Sequence, residues 1–489
     1  MKKVLLIFGI FLSLLLGCSP DSRGNQNDGP GTPEWRLTVD GKPFLMLGAQ
    51  LRTDFFRDLD GKGLDELDKY FELAASLNIT VVQIAFSWRA VEPEYNVYTD
   101  EAVRAYIDYC EKYGLKAEFL WFGSYMCGYS VEGHLPPYVV EDNKTYPEVN
   151  PAASYNGWQG KQYYLKPGNS NLLARESKAI GKMMEFIDAY DKQLGRPHTV
   201  IGIQIENEPD MLATRHNDHH KVAASELWPS IVAHLDVVGK AVKSSSYKCY
   251  TRVNLTLDDY ASWAGVIVKR PGIDYVGLDP YVADVDRLED LLTFLKSIPG
   301  NFAHIAENGG EYYNNDVLTL KALSMGCGYE VFEVVTTPDP KLKDWTLRGV
   351  YNPDFTPKGQ TQRLIDAYGI FKGAWYDFAT APLASIAGFN IRVSSGQERT
   401  QNAEVATLPS VSVSWTTTSR GIAYAIEGDG YVTVASTRAD KMEFSVTPRG
   451  VEEGRYDKDG KWVSGPLVPA RLSGATLSLE PCKVYRVQL

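Results

Sequence analysis

From residue 36 to about 375 the chain alternates short apolar runs with longer amphipathic stretches. The runs are FLMLGA (44–49), TVVQIAFSW (80–88), AEFLWFG (117–123), VIGIQIENE (200–208), YTRVNL (250–255), YVGLDPYV (275–282), FAHIAENGG (302–310) and YEVFEVV (329–335). Each is dense in β-branched and aromatic residues and nearly continuous in apolarity, as expected of strands buried on both faces of a parallel sheet. Between them, 64–77, 100–113, 171–193, 220–243, 286–297 and 315–324 read as helices, with 358–372 after the last run and a short helix within 257–270. Strands alternating with helices in this number predict a (β/α)8 TIM barrel. A doubly wound open sheet is the alternative, but no glycine-rich dinucleotide fingerprint follows the first run. Ahead of that run, RLTVDGKPFLML (36–47) places two apolar segments about Asp40-Gly41, a predicted hairpin at the floor of the barrel. The longest insertion, 124–170, follows the third strand and is dense in Tyr, Pro, Gly and Asn. Long loops on that face of a barrel shape its site.

Near residue 381 the period shortens. VSVSWTT (411–417), GIAYAIEG (421–428), YVTVAST (431–437), MEFSVTP (442–448), ATLSLEP (475–481) and VYRVQL (484–489) alternate apolar with polar, and Asp429-Gly430 and Asp459-Gly460 mark tight turns. This pattern predicts an antiparallel β-sandwich. The expected organisation is a catalytic barrel over 36–380 and a C-terminal β-sandwich over 381–489.

The start of the chain is different in kind. Lys2 and Lys3 precede an apolar run, 4–16, and then Leu15-Leu16-Gly17-Cys18. That run is too short to span a bilayer, which takes about 20 residues, so 1–17 reads as a targeting segment. It resembles a bacterial lipoprotein signal, a resemblance that implies lipidation of Cys18; a plain secretory signal is the other reading. The Ser-, Gly-, Asn-, Asp- and Pro-rich stretch 18–35 reads as a flexible tether. The expected location is the bacterial cell envelope, with membrane contact through the lipid anchor only.

Composition narrows the chemistry. Hydrophobic residues at 44% and charged ones at 23% are those of a globular chain. A net charge of −11 argues against a phosphate-tracking nucleic-acid binder, which needs a basic face. Beyond Cys18 the cysteines are 110, 127, 249, 327 and 482, without a CxxC pair, so neither a zinc site nor a disulfide framework is expected. His216, His219 and His220 in RHNDHHK lack a ligand from a third element and read as a solvated loop. Asp58-Leu59-Asp60-Gly61 lacks the full EF-hand spacing. No Walker motif, nucleophile elbow or HExxH occurs, so no cofactor and no metal is expected.

In a barrel, a charged residue closing an otherwise apolar strand points into the mouth, where it needs partners or a role. The fourth run ends Ile205-Glu206-Asn207-Glu208-Pro209-Asp210 and the seventh ends His304-Ile305-Ala306-Glu307-Asn308-Gly309-Gly310. Two carboxyls brought together there fit retaining glycoside hydrolysis, one as a protonated acid and one as an ionised nucleophile.

The Asn207-Glu208 pair, with Glu307 closing strand seven, resembles glycoside hydrolase clan A. DGKPFLMLGAQLR (40–52), FSWRAVEPEYNVY (86–98), KAEFLWFGSY (116–125) and IGIQIENEPDML (201–212) are similar to family 35- and 42-like bacterial β-galactosidases. The chain departs from them at Gln50-Leu51-Arg52, where a Gly-Glu-Leu-His type sequence is usual, and at AENGG, where a Thr-Glu-Phe type motif is usual. These departures bear on the sugar held more than on hydrolysis. The resemblance implies Glu208 as acid/base, Glu307 as nucleophile and Asn207 as a donor to the sugar 2-hydroxyl. Glu206 competes with Glu208 for the acid role. Neighbours along a strand face opposite sides, so a bulge or turn is expected where Asn207 and Glu208 both reach the mouth.

Tyr281, closing strand six, is either a partner of the nucleophile or a core tyrosine. Arg52 and Glu333 are candidates for sugar hydroxyls or for a structural ion pair. Trp88 and Trp121 either wall a sugar subsite or pack the core. The expected activity is a retaining, exo-acting β-galactosidase on an oligo- or polysaccharide. The alternatives are an endo-β-glycanase of the same clan and a non-catalytic glycan-binding surface lipoprotein.

Overall fold

Strands buried on both faces close on themselves between residues 47 and 332. The computed structural model describes residues 36–54, 63–150, 155–157, 160–196, 198–337, 348–390, 393–394, 397–398 and 403–489. The segment 1–17, Cys18, the stretch 18–35 and Asp58-Leu59-Asp60-Gly61 lie outside the described residues. The eight runs form β1 (Leu47–Leu51), β2 (Val81–Ser87), β3 (Lys116–Phe122), β4 (Val200–Ile205), β5 (Tyr250–Leu255), β6 (Tyr275–Leu278), β7 (His304–Gly309) and β8 (Gly328–Phe332). They pair in parallel in that order, and β8 returns to β1. Each is followed by a helix: α1 (Asp68–Ser76), α2 (Glu101–Tyr113), α3 (Ser170–Leu194), α4 (Ala224–Lys243), α5 (Tyr260–Ile267), α6 (Val285–Ser297), α7 (Asn315–Ser324) and α8 (Thr361–Gly373). Gly114 and Gly195, both with positive φ, end α2 and α3, as residues free of a Cβ do most easily.

The predicted hairpin is present, with Thr38–Val39 pairing Lys42–Pro43 about Asp40 and Gly41. Leu37 and Met46 cluster with Val81, Ile201, Tyr250 and Tyr275, which closes the lower end of the barrel. Above that plug the interior turns polar. Arg252 on β5 donates to both oxygens of Glu118 on β3, each at 2.7 Å. Gln83 on β2 donates to Glu118 at 3.1 Å and also to Glu330 on β8. His304 on β7 lies 3.2 Å from Glu330. All five are fully buried. Burial, and then the Glu118 charge, push the Glu330 carboxyl well above its usual range, so it keeps its proton. A Cβ on Gly48 would meet Glu330 Oε1 at 2.3 Å, so β1 must carry a residue without one there. Taking one partner from a buried ion pair costs about 3–5 kcal/mol, which ties β3 and β5 firmly together.

The C-terminal part is two facing antiparallel sheets. They contain β9 (Ile386–Asn390), β10 (Ala403–Thr407), β11 (Ser412–Thr416), β12 (Ile422–Gly428), β13 (Tyr431–Ser436), β14 (Lys441–Phe444), β15 (Gly450–Tyr456), β16 (Trp462–Leu467), β17 (Leu472–Ser473), β18 (Thr476–Ser478) and β19 (Lys483–Gln488). One sheet runs β9-β12-β13-β19-β15-β16 and the other β10-β11-β14-β18-β17, with Phe389, Trp415, Phe444 and Tyr485 between them. The first sheet also packs on the barrel. Tyr424 donates to Ile370 O of α8 at 2.9 Å, and Asp377 accepts from Thr433 at 2.5 Å and from Tyr431 at 3.1 Å. Among the described residues no helix is long and apolar enough to cross a membrane.

Candidate active site

The chain leaves β4 through a kink. Glu206 and Glu208 both have positive φ, 60° and 42°, a conformation uncommon for residues with a Cβ. This is the turn expected from the alternation argument, and it separates the two carboxyls. Glu206 turns outward into the wall, where it accepts from the backbone N–H groups of Gly123 (3.1 Å), Ser124 (3.0 Å) and Tyr125 (2.8 Å). Glu208 turns into the mouth, its own N–H held by Asn254 Oδ1 at 3.1 Å. Asn207 lies between them. Its Oδ1 accepts from Gln204 (2.9 Å) and Asn254 (2.8 Å), and its Nδ2 donates to Met126 O at 2.6 Å.

Behind Glu206 stand Glu176 of α3 and His234 of α4, both fully buried. Among the described residues these three form the group of His, Cys, Asp and Glu close enough to share a cation. The two carboxyls are already engaged by protein donors, whereas His234 Nδ1 has no hydrogen-bond partner among the described residues. Glu176 accepts from Trp121 Nε1 (2.9 Å), Ser124 Oγ (2.5 Å) and His234 Nε2 (3.0 Å). Burial opposes charge on His234, but Glu176 and Glu206 outweigh it and raise its pKa to about 9. Burial likewise opposes ionisation of Glu176, and His234 brings that carboxyl down to about 2. Burial and then the Glu176 charge push Glu206 well above its usual range. The network fixes the loop after β3.

Glu307 reaches the mouth because the pairing of β7 with β8 slips between Ile305 and Asn308. Tyr281 donates to Glu307 Oε2 at 2.5 Å. Asn308 secures that contact: its amide accepts from Val282 N (2.8 Å) and donates to Val282 O (2.9 Å), which holds the backbone beside Tyr281. Glu208 is raised to about 8, by burial first and then by the charge of Glu307 and of Asp210. Glu307 is also raised by burial, but the Tyr281 hydroxyl and the positive charges of Arg52, Arg252 and Arg348 oppose this. The pair shares one proton, and these surroundings place it on Glu208.

The other residues singled out from the sequence fall into two groups. Arg52 and Glu333 do reach the mouth, but each already has protein partners. Arg52 is paired with Asp54 through two hydrogen bonds, 2.9 and 3.0 Å, and Asp54 is 3.1 Å from His134. Glu333 accepts from Thr337 N and Thr337 Oγ1, both at 2.7 Å, and burial raises its pKa to about 7. Trp88 and Trp121 correct the subsite-wall reading. Both are fully buried, and their indoles donate to Glu92 (3.1 Å) and Glu176 (2.9 Å). Trp121 follows the strand alternation outward toward α3, opposite in sense to Glu118. The histidine cluster is also corrected, since it is not a solvated loop. His216 bonds Cys127 O at 2.9 Å, and His220 bonds Leu212 O at 2.6 Å.

Four residues of the mouth escaped the sequence reading. Cys127 lies with its thiol against Glu208 and 3.9 Å from Asn207 Nδ2, and burial and the Glu208 charge raise its pKa. Asp210 accepts from Thr256 Oγ1 at 2.5 Å behind Glu208, and burial lifts it to about 7. Asn254 links Asn207 to Glu208. Asp279, two residues before Tyr281, had the same signal that marked Glu208 and Glu307, a charge closing an apolar strand.

The comparisons bear on the fold. A family model described as a domain of unknown function, DUF4978, matches residues 230–395. No match is found among curated proteins. Of solved structures, the chain is similar to an exo-β-1,4-mannosidase from Opitutaceae bacterium strain TAV5, with a TM-score of 0.50 and 13% identity over 68% of this chain and 61% of that one. It is similar to a GH5_18 protein from Streptomyces cattleya in complex with GlcNAc, with a TM-score of 0.50 and 13% identity over 67% and 80%. A family 39 glycoside hydrolase from the gut symbiont Bacteroides cellulosilyticus WH2 matches with a TM-score of 0.47 and 13% identity over 91% and 81%. The chain thus spans 61% of the length of the mannosidase it matches. At 13% identity the two matches with a TM-score of 0.50 show likeness of fold alone.

Proposed function

We propose that this chain is a retaining β-glycoside hydrolase acting by double displacement, exo-acting, with β-galactosides of plant or host glycans as its first candidate substrates. The observation that carries the reading is the asymmetry of the buried pair, in which Glu208 holds a proton while Glu307 faces Tyr281 and positive charge. The Glu307 carboxylate attacks the anomeric carbon, and Glu208 gives its proton to the departing glycosidic oxygen. Glu208, now ionised, takes a proton from water, whose oxygen attacks the same carbon and releases Glu307. Two inversions give net retention. Asn207 turns the amide hydrogen now directed at Cys127 Sγ to the sugar 2-hydroxyl, and Arg52 and Glu333 serve other hydroxyls. The insertion after β3 supports an exo reading, since it sets Met126 and Cys127 against Asn207 and Glu208. The sequence resemblance supports galactose, and the likeness in fold to an exo-β-1,4-mannosidase puts β-mannosides beside it.

A panel of aryl β-galactoside, mannoside, glucoside, arabinoside and xyloside substrates, with polysaccharides, tests this. The expected first product has retained configuration by NMR. Glu307→Gln nearly abolishes turnover. Glu208→Ala loses about 10²–10⁴-fold on natural glycosides, less on activated aryl glycosides, and recovers with azide. Release of internal fragments from polysaccharide alone indicates an endo-glycanase. No turnover by folded protein leaves the glycan-binding reading.

The proton on Glu208 sets a pH limb. A raised pKa keeps the acid form below it, so kcat/KM is expected to fall as pH rises through about 8. Arg215 favours the ionised form of Glu208. Arg215→Gln is therefore expected to move the alkaline limb to higher pH, and a shift to lower pH contradicts the assignment.

We also propose a lipid anchor at Cys18, supported by the sequence Leu15-Leu16-Gly17-Cys18 after a basic, apolar leader. Cys18→Ser is expected to move the activity from the membrane fraction to the soluble fraction of cells producing the full chain.

A further inference from the structure

A third carboxyl lies under the pair. Asp279 follows β6 at an inward position, in register with Gly277 and Tyr275, and is almost wholly buried. Its Oδ2 accepts from Asn254 Nδ2 at 2.5 Å. The same Asn254 side chain reaches Asn207 Oδ1 at 2.8 Å and the Glu208 N–H at 3.1 Å. Asp279 is thus one amide away from both residues of the Asn207-Glu208 turn. Its other oxygen, Oδ1, has no hydrogen-bond partner among the described residues. A buried polar atom left so has lost its hydration without return, a cost recovered when a partner arrives.

The charged groups facing Asp279 are Glu307 from β7, Glu208 from the turn after β4 and Arg252 from β5. The Arg252 charge is already engaged by Glu118 in two hydrogen bonds. Three carboxyls buried together resist being ionised at once, and burial, then Glu307 and Glu208, push Asp279 well above its usual range, toward its acid form. With Oδ2 accepting from Asn254, the acid hydrogen belongs on Oδ1, as a donor with nothing yet to give to.

We propose that Asp279 is a sugar-binding residue of this site that acts as a neutral carboxylic acid, donating from Oδ1 to a hydroxyl of the pyranose held between Glu208 and Glu307. The inference rests on the hydrolase reading for its ligand, and its protonation state does not. In the complex Asp279 adds no charge beside the nucleophile, and it discriminates for an oxygen at one ring position. Tyr281 on the same strand end serves the nucleophile, so β6 supplies one donor to the enzyme's carboxylate and one to the sugar.

Asp279→Asn keeps an acceptor for Asn254 and a donor at the other atom, whereas Asp279→Leu keeps neither. With the best substrate of the panel, Asp279→Asn is expected to lose about tenfold at most in kcat/KM and Asp279→Leu about a hundredfold or more. The alkaline limb stays in place in Asp279→Asn, because no charge has been removed. Across monodeoxy substrates, the Leu variant's loss is expected to shrink below about tenfold for one position, the coupling that marks a direct contact. An equal loss on every deoxy substrate makes Asp279 only a support for Asn254 and overturns the proposal. So does an Asn variant as impaired as Leu with its limb moved to lower pH, the mark of a working carboxylate. Infrared difference spectra of the intact protein decide the state without turnover. A protonated-carboxyl band is expected at neutral pH, lost in Asp279→Asn and shifted by a saturating glycoside, and a missing or unmoved band contradicts the proposal. If no glycoside is hydrolysed but the band is present and shifts, the hydrolase reading fails and the sugar contact stands.

Discussion

Two carboxyls buried side by side hold one negative charge between them far more easily than two, and the mouth of this barrel is organised around that limit. Glu208 sits on a kinked turn with Asp210 behind it and Glu307 before it, so its own charge meets two others of the same sign. Glu307 meets a tyrosine hydroxyl and the fields of three arginines. In the proposed mechanism the difference between acid and nucleophile therefore comes from the neighbours and not from the glutamates, which are chemically identical. Asp279 extends the logic, because a third carboxyl is admitted to the same pocket only without its charge.

Such an arrangement needs strand ends that do not move, and two buried networks supply them. Below the site, Arg252 on β5 binds Glu118 on β3, past the intervening β4, with Gln83, Glu330 and His304 filling in around them. Beside it, Glu206 gathers three consecutive backbone N–H groups of the loop after β3, while Glu176 and His234 brace it from α3 and α4. Adjacent glutamates of one sequence motif thus do unrelated work. Glu206 shapes the wall and Glu208 faces the mouth.

The eight strands were legible because a strand covered on both faces reads as one unbroken apolar run, and all eight runs became barrel strands. The Glu208 and Glu307 positions were legible for the complementary reason, a charge standing where such a run ends. The same rule picks out Asp279 in YVGLDPYV, which was passed over in favour of Tyr281. Trp88 and Trp121 misled because an aromatic near a strand end fits both a sugar wall and a helix interface. The alternation from Glu118 to Trp121 carries the correct side, since residues an odd number apart face opposite ways. Cys127 carries no signal in the sequence, because a cysteine without partner spacing reads as neither bridge nor metal ligand, and its importance lies in where the loop after β3 sets it down. β15 and β16 were missed because Glu452, Glu453 and Arg455 blur the period in one, and the other is mostly exposed.

Everything in this account turns on which carboxyl bonds to the sugar. An activated 2-deoxy-2-fluoro glycoside of the preferred sugar slows the second step and leaves the glycosyl group on the nucleophile, and digestion followed by mass spectrometry locates it. The account predicts one equivalent of label on Glu307, with Glu208 and Glu206 unmodified. Label on Glu208 or Glu206, or unlabelled protein that still turns over its substrate, would contradict it.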